Sequence, residues 1–159
     1  NISADAQTKT LERINFFREL AGLPGNITFR DDWNKQCQEA ALMCHANKQL
    51  NHFPPNTWTC YSSDGAQAAS ASNLAGTSST TAVVSYMRDA GPGNTAAGHR
   101  RYILYSRAKQ MGHGATSHYD ALWVVGGASN PSTMPDYIAW PPKMVPSTLV
   151  YPRWSFGVP

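Results

Sequence analysis

The stretch that decides the fold is KQMGHGATSHYDALWVVGG, Lys109 to Gly127. Lys109–Ala115 and Ala121–Gly127 read as two strands joined by a polar turn. Everything upstream with a clear period is helical. Leu11, Ile14, Phe17 and Ala21 recur at helical spacing, so a first helix is expected over about Ala4–Leu20, ended by Gly22 and Pro24-Gly25. A second helix is expected to follow Asp31, with Trp33, Cys37, Ala40, Ala41 and Cys44 as its apolar stripe, and to run to about Leu50. A third begins near Ser79, buries Ala82, Val83, Tyr86, Met87 and Ala90, and stops at Gly91-Pro92-Gly93. Residues 56–80 are small and polar, with little local propensity. Downstream, Tyr137–Trp140 and Arg153–Phe156 read as further strands between prolines. Helices first and strands later predict an α+β fold, with helices packed on a central antiparallel sheet.

With 159 residues, the chain has the size of one domain, and 1–159 is read as such, excised or not from a longer protein. Hydrophobic residues make up 42%, which allows a real core, and charged residues 14%, which is low for an intracellular protein; Trp (5), Tyr (7) and Phe (5), spread throughout, speak against disorder. A net charge of +3 is too mild to argue for nucleic acid. The nearest thing to a basic patch is Arg100, Arg101, Arg107 and Lys109, read as a solvated face, with contact to an anionic surface as the alternative. No apolar run reaches membrane-spanning length, and no leader is recognisable, so Asn1 reads as a processed or chosen start. Sequons stand at Asn1-Ile2-Ser3 and Asn26-Ile27-Thr28.

The three cysteines allow one disulfide. Cys37 and Cys44 lie two helical turns apart, about 10 Å, too far to bond each other. Cys60, beyond a reversal of the chain, could bond either one, leaving the other free and buried; the alternative is three reduced, buried thiols.

Of the five histidines, His45, His113 and His118 call for nothing beyond structural or solvent roles. His52 follows a helix end in Asn51-His52-Phe53-Pro54-Pro55, where prolines stiffen the chain. His99 follows a glycine in Gly98-His99-Arg100-Arg101-Tyr102-Ile103-Leu104. On residue type alone, either is matched by a satisfied core histidine.

Taken in order, these two segments, Ser72-Asn73-Leu74-Ala75 between them and Met111-Gly112-His113-Gly114 after them resemble a bacterial CAP domain (cysteine-rich secretory protein, antigen 5, pathogenesis-related 1). The opening Leu11–Pro24, with Arg13, Asn15, Arg18 and Gly22-Leu23-Pro24, is similar to the first helix of that family. The resemblance implies an α-β-α sandwich with a large cleft that carries two histidines and two acidic residues. His52 and His99 match the histidines. Ser72 stands where the family has a glutamate, and Asp89 best matches the second acid. The implied ligand-binding cleft is therefore His52, Ser72, Asp89 and His99, with His52 and His99 as the metal ligands.

Two imidazoles completed by water make a weak zinc or copper site, lost as the rings protonate below about pH 6. Asp89 would orient one ring or serve as a third ligand. The alternative is a metal-free hydrogen-bonded pair. Ser72, Asp89 and His99 also supply the residue types of a nucleophilic triad, but Ser72 lacks a Gly-x-Ser-x-Gly elbow and an identifiable oxyanion hole. The tail, Trp140-Pro141-Pro142 and Tyr151-Pro152-Arg153-Trp154, is read as capping its own sheet, with a ligand for a proline-binding module as the alternative. The resemblance implies a monomeric secreted or cell-surface binding module. Its partner would be a small ligand, a lipid or a protein, and not nucleic acid. A zinc-dependent hydrolase and a purely structural interaction module are the competing readings.

Overall fold

The computed structural model describes residues 2–131 and 133–159; Asn1, the head of the first sequon, lies outside them. The decisive hairpin is present as β3 (Gln110–Ala115) and β4 (Asp120–Trp123), paired antiparallel with Gly112 opposite Trp123 and Ala115 opposite Asp120. It forms the middle of a four-stranded sheet. β1 (Thr28–Phe29) joins β3 in parallel, and β2 (Ser72–Ala75) joins β4 antiparallel, giving the order β1-β3-β4-β2. The sheet is thus mixed, not antiparallel throughout.

Helices cover both faces. α1 (Ala4–Leu20), α4 (Ser79–Arg88) and α5 (Gly98–Ile103) share one core, in which Ile14, Phe17, Tyr86 and Ile103 meet Met111, Leu122 and Val124. α2 (Asp31–Asn47) and α3 (Ser63–Ala71) share the other, in which Cys37, Ala40 and Ala68 meet Leu74, Ala121 and Trp123. Successive residues of a strand point to opposite faces. The run Ala121-Leu122-Trp123-Val124 therefore feeds the two cores alternately. Gly112 and Gly114 let α2 lie against β3: a Cβ on Gly114 would fall 2.1 Å from the Gln38 nitrogen, and one on Gly112 2.4 Å from Trp33 Cβ.

Several expectations are corrected. α2 stops at Asn47 because Lys48 takes a left-handed conformation, φ 52°, which ends the helical ladder. Residues 56–80 are not featureless. Ser62 caps α3 by accepting from the Gly65 N–H, and the small residues Ala68, Ala69 and Ser72 allow the end of α3 and the start of β2 to pack closely against α2. α4 ends at Arg88, so Ala90 is exposed. The basic quartet is not a common solvated face. Arg100 is fully buried, donating to the carbonyls of Met87, Arg88 and Arg153, whereas Arg101 and Arg107 are exposed.

The tail forms a separate two-stranded sheet, β5 (Ile138–Trp140) with β6 (Ser155–Gly157). Trp140 is completely buried against Phe17, with ring centres 5.4 Å apart, and its indole N–H donates to Leu149 O. Burial of such a ring contributes on the order of 2–3 kcal/mol. The segment docks on its own chain.

Candidate functional site

Two chain segments whose histidines stand 47 residues apart in sequence meet at one hollow. After α2, the chain turns through 48–53 and sets His52 beside the end of α3. There its Nδ1 lies 2.9 Å from Ala69 O. A carbonyl only accepts, so Nδ1 carries the proton and Nε2 keeps its lone pair. His99 is the second residue of α5. Its Nδ1 donates to Asp89 Oδ1 at 2.8 Å, which in the neutral ring leaves Nε2 as the acceptor. Both rings line one cavity of about 380 Å³, together with Phe53, Ser72, Asn94 and Tyr102.

The supports of His99 are buried. Asp89 closes α4 in the left-handed region, φ 49°, its side chain 0% exposed, and its Oδ2 accepts the Arg100 N–H at 3.3 Å. Asn73 of β2 donates to His99 O at 3.0 Å, fixing the start of α5 against the sheet edge. The Tyr86 ring stacks on the imidazole, 5.6 Å between centres and 26° between planes. From further back, the fully buried Arg18 donates to Ile103 O and Tyr105 O at 2.8 Å each and so ties α1 to the end of α5.

Of the four expected cleft residues, His52, Ser72 and His99 line the cavity. Asp89 stands behind His99 as its hydrogen-bond acceptor rather than beside it as a third donor. Ser72 Oγ is 3.8 Å from Cys37 Sγ, and among the described residues it makes no hydrogen bond to either histidine, so no triad forms. Nor does any group of three or more His, Cys, Asp or Glu suited to holding a metal occur among the described residues. The donor set in the cleft is two imidazoles, each oriented through Nδ1 by a carbonyl or a carboxylate. That arrangement fits metal-ligating histidines, at the weak end for zinc.

The expected disulfide is not formed: all three cysteines are free. Cys37 and Cys44 are buried in the core between α2, α3 and the sheet, whereas Cys60 is exposed in the turn after Trp58. Burial pushes the Cys37 thiol up to about 12.

His113, expected to be structural, is completely buried and donates from Nε2 to Asp120 Oδ2 at 2.8 Å. Asp120 also accepts from the Ser79 N–H (2.9 Å) and from the Tyr86 hydroxyl (3.0 Å). A buried polar chain thus runs from the centre of the sheet to the ring that stacks on His99. Tyr86 was legible only as a core position, and Asp120 only as the end of a polar turn. His45 and His118 pack edge to face at the β3–β4 turn, 5.8 Å between centres, and neither lines the cavity.

Residues 11–126 match the model of the CAP family, described as the cysteine-rich secretory protein family, and the chain belongs to that family. No curated protein and no solved structure matches the chain. The match ends within the loop after β4, so β5 and β6 lie beyond it.

Proposed function

We propose that this chain is a secreted or cell-surface binding domain of the bacterial CAP type, whose cleft at His52 and His99 holds a small ligand or a weakly bound divalent metal, zinc first. The observation that carries this reading is the shared cavity lined by two imidazoles, each with Nδ1 engaged and Nε2 free to accept. A second hollow of about 440 Å³, bounded by Arg101, Tyr105 and Gly126, shares Tyr102, Val124 and Val125 with the first, so an elongated ligand has room beyond the histidines. A metal held there would supply positive charge for an anionic or carbonyl oxygen of the ligand. Binding is favoured over zinc-assisted hydrolysis because, among the described residues, no carboxylate lines either hollow, and a metal held by both imidazoles leaves neither ring free as general base. Extracellular placement is supported by the family, and among the described residues no helix is long and apolar enough to cross a membrane.

Isothermal titration with zinc at pH 7.5 tests the site. The wild-type chain is expected to bind one equivalent weakly, and the His52→Ala/His99→Ala variant to lose that binding. Absence of binding to wild type, or equal binding to the double variant, contradicts the metal reading.

A further inference from the structure

The backbone that carries Asp89 is fastened by residues from beyond the family match. Arg153, half buried, donates from Nη1 to Asp89 O and to Asn94 O (2.8 Å), and from Nη2 to Gly91 O at 3.0 Å. One planar guanidinium so spans three carbonyls of the turn between α4 and α5. The last carbonyls of a helix lack intrahelical partners, and an arginine fork is suited to several of them at once.

Arg100 completes the fastening from inside. Its Nε donates to Met87 O at 2.6 Å, and its Nη1 to Arg153 O (2.8 Å) and Ser155 Oγ (3.1 Å). Its backbone N–H meets the Asp89 carboxylate. Arg101 adds a bond from Nη1 to Phe156 O at 3.1 Å. Asp89 is a non-glycine residue held at positive φ, a conformation that persists only where its surroundings over-determine it. Here those surroundings are in large part the segment 153–156.

We infer that Arg153 is a positioning residue of the cleft. By gripping the carbonyls of Asp89, Gly91 and Asn94 it fixes the Asp89 carboxylate against the His99 Nδ1–H, and thereby the tautomer and aim of that ring. The C-terminal segment is then part of the site and not merely a cap on the core. The inference concerns the cleft of the proposed function but requires no metal in it.

The test uses the full chain with ¹⁵N-labelled histidine, metal-free at pH 8, where long-range proton–nitrogen correlation distinguishes the two imidazole tautomers. Wild type is expected to show His99 as the single Nδ1–H form. Arg153→Gln is expected to show mixed tautomers at His99, and Arg153→Lys an intermediate pattern. His52, anchored to Ala69 O on α3, serves as the unmoved control. Wild-type His99 shifts in either folded variant would overturn the proposal. So would unfolding of both, which would show that Arg153 holds the fold and not the ring.

A parallel zinc titration separates the two readings. Outer-sphere changes cost 10–100-fold in metal affinity, so this more remote one should cost about three- to tenfold. Wild type that binds no zinc removes the metal reading and leaves the tautomer result standing.

Discussion

Asp89→Asn puts the two demands on this residue in conflict. Its carboxylate accepts two donors at once, the His99 Nδ1–H at 2.8 Å and the Arg100 N–H at 3.3 Å, with the side chain fully buried. Asparagine has nearly the same shape but offers one oxygen and one NH₂. Whichever way the amide faces, one N–H meets another donor. If the ring keeps its tautomer, a buried donor goes unpaired at a cost of about 1–3 kcal/mol. At roughly 2–4 °C per kcal/mol for a chain of this length, the melting temperature should fall by about 2–12 °C. If the ring instead accepts from the amide at Nδ1, its proton moves to Nε2 and the lone pair available to a ligand is lost. Zinc affinity should then drop about 10–100-fold. Differential scanning calorimetry and zinc titration of the same samples read both quantities. A variant melting within about 1 °C of wild type, with zinc affinity within about twofold, would refute the assigned role of Asp89.

Tyr86→Phe removes the hydroxyl whose single proton is shared between Asp120 Oδ1 at 3.0 Å and Asn73 O at 3.1 Å, but keeps the ring stacked on His99. Urea denaturation should show a loss of about 1–2 kcal/mol, while zinc affinity stays at the wild-type value. Stability should also fall on the alkaline side. Cys37 ionises near 9.0 when unfolded and near 12 when folded, because burial disfavours the thiolate. Between those values the folded chain holds the extra proton, so about 1.4 kcal/mol is lost per pH unit as pH rises. Tyr86, pushed well above 10 by burial and by Asp120, acts in the same direction at higher pH. Cys37→Ala should flatten the part of the profile between pH 9 and 10, as read by chemical denaturation. Gly114→Ala drives a methyl to 2.1 Å from the Gln38 nitrogen and 2.4 Å from the Cys37 carbonyl carbon. Helix backbone cannot yield as a side chain does, so a loss of about 3 kcal/mol or more is expected in the same assay.

Much of this molecule was legible where periodicity is strong. α1, α4 and the β3–β4 hairpin sit within a few residues of the positions their apolar spacing marks. The α3–β2 segment was not, because Ala68, Ala69, Ser72 and Asn73 have no apolar period. Ala68, Ala69 and Ser72 are buried by the approach of α2 and Asn73 by that of α5, which is a tertiary matter. β1 was missed for a related reason: a two-residue parallel strand is defined by its partner rather than by itself. At the site, the pairing of His52 with His99 followed from the family resemblance and not from residue type. The roles of Asp89 and Arg153 depend on backbone carbonyls and a left-handed helix end, neither of which a side-chain pattern encodes. The disulfide expectation failed: Cys37 and Cys44 are buried and Cys60 is exposed, a difference that counting cysteines does not reveal.

The sharpest measurement is anomalous scattering at the zinc edge from a crystal soaked with zinc near neutral pH. The expected result is one peak about 2.0–2.1 Å from Nε2 of both His52 and His99. A peak on one ring alone, a peak only at His45 and His118, or no peak at all would contradict a shared two-imidazole site.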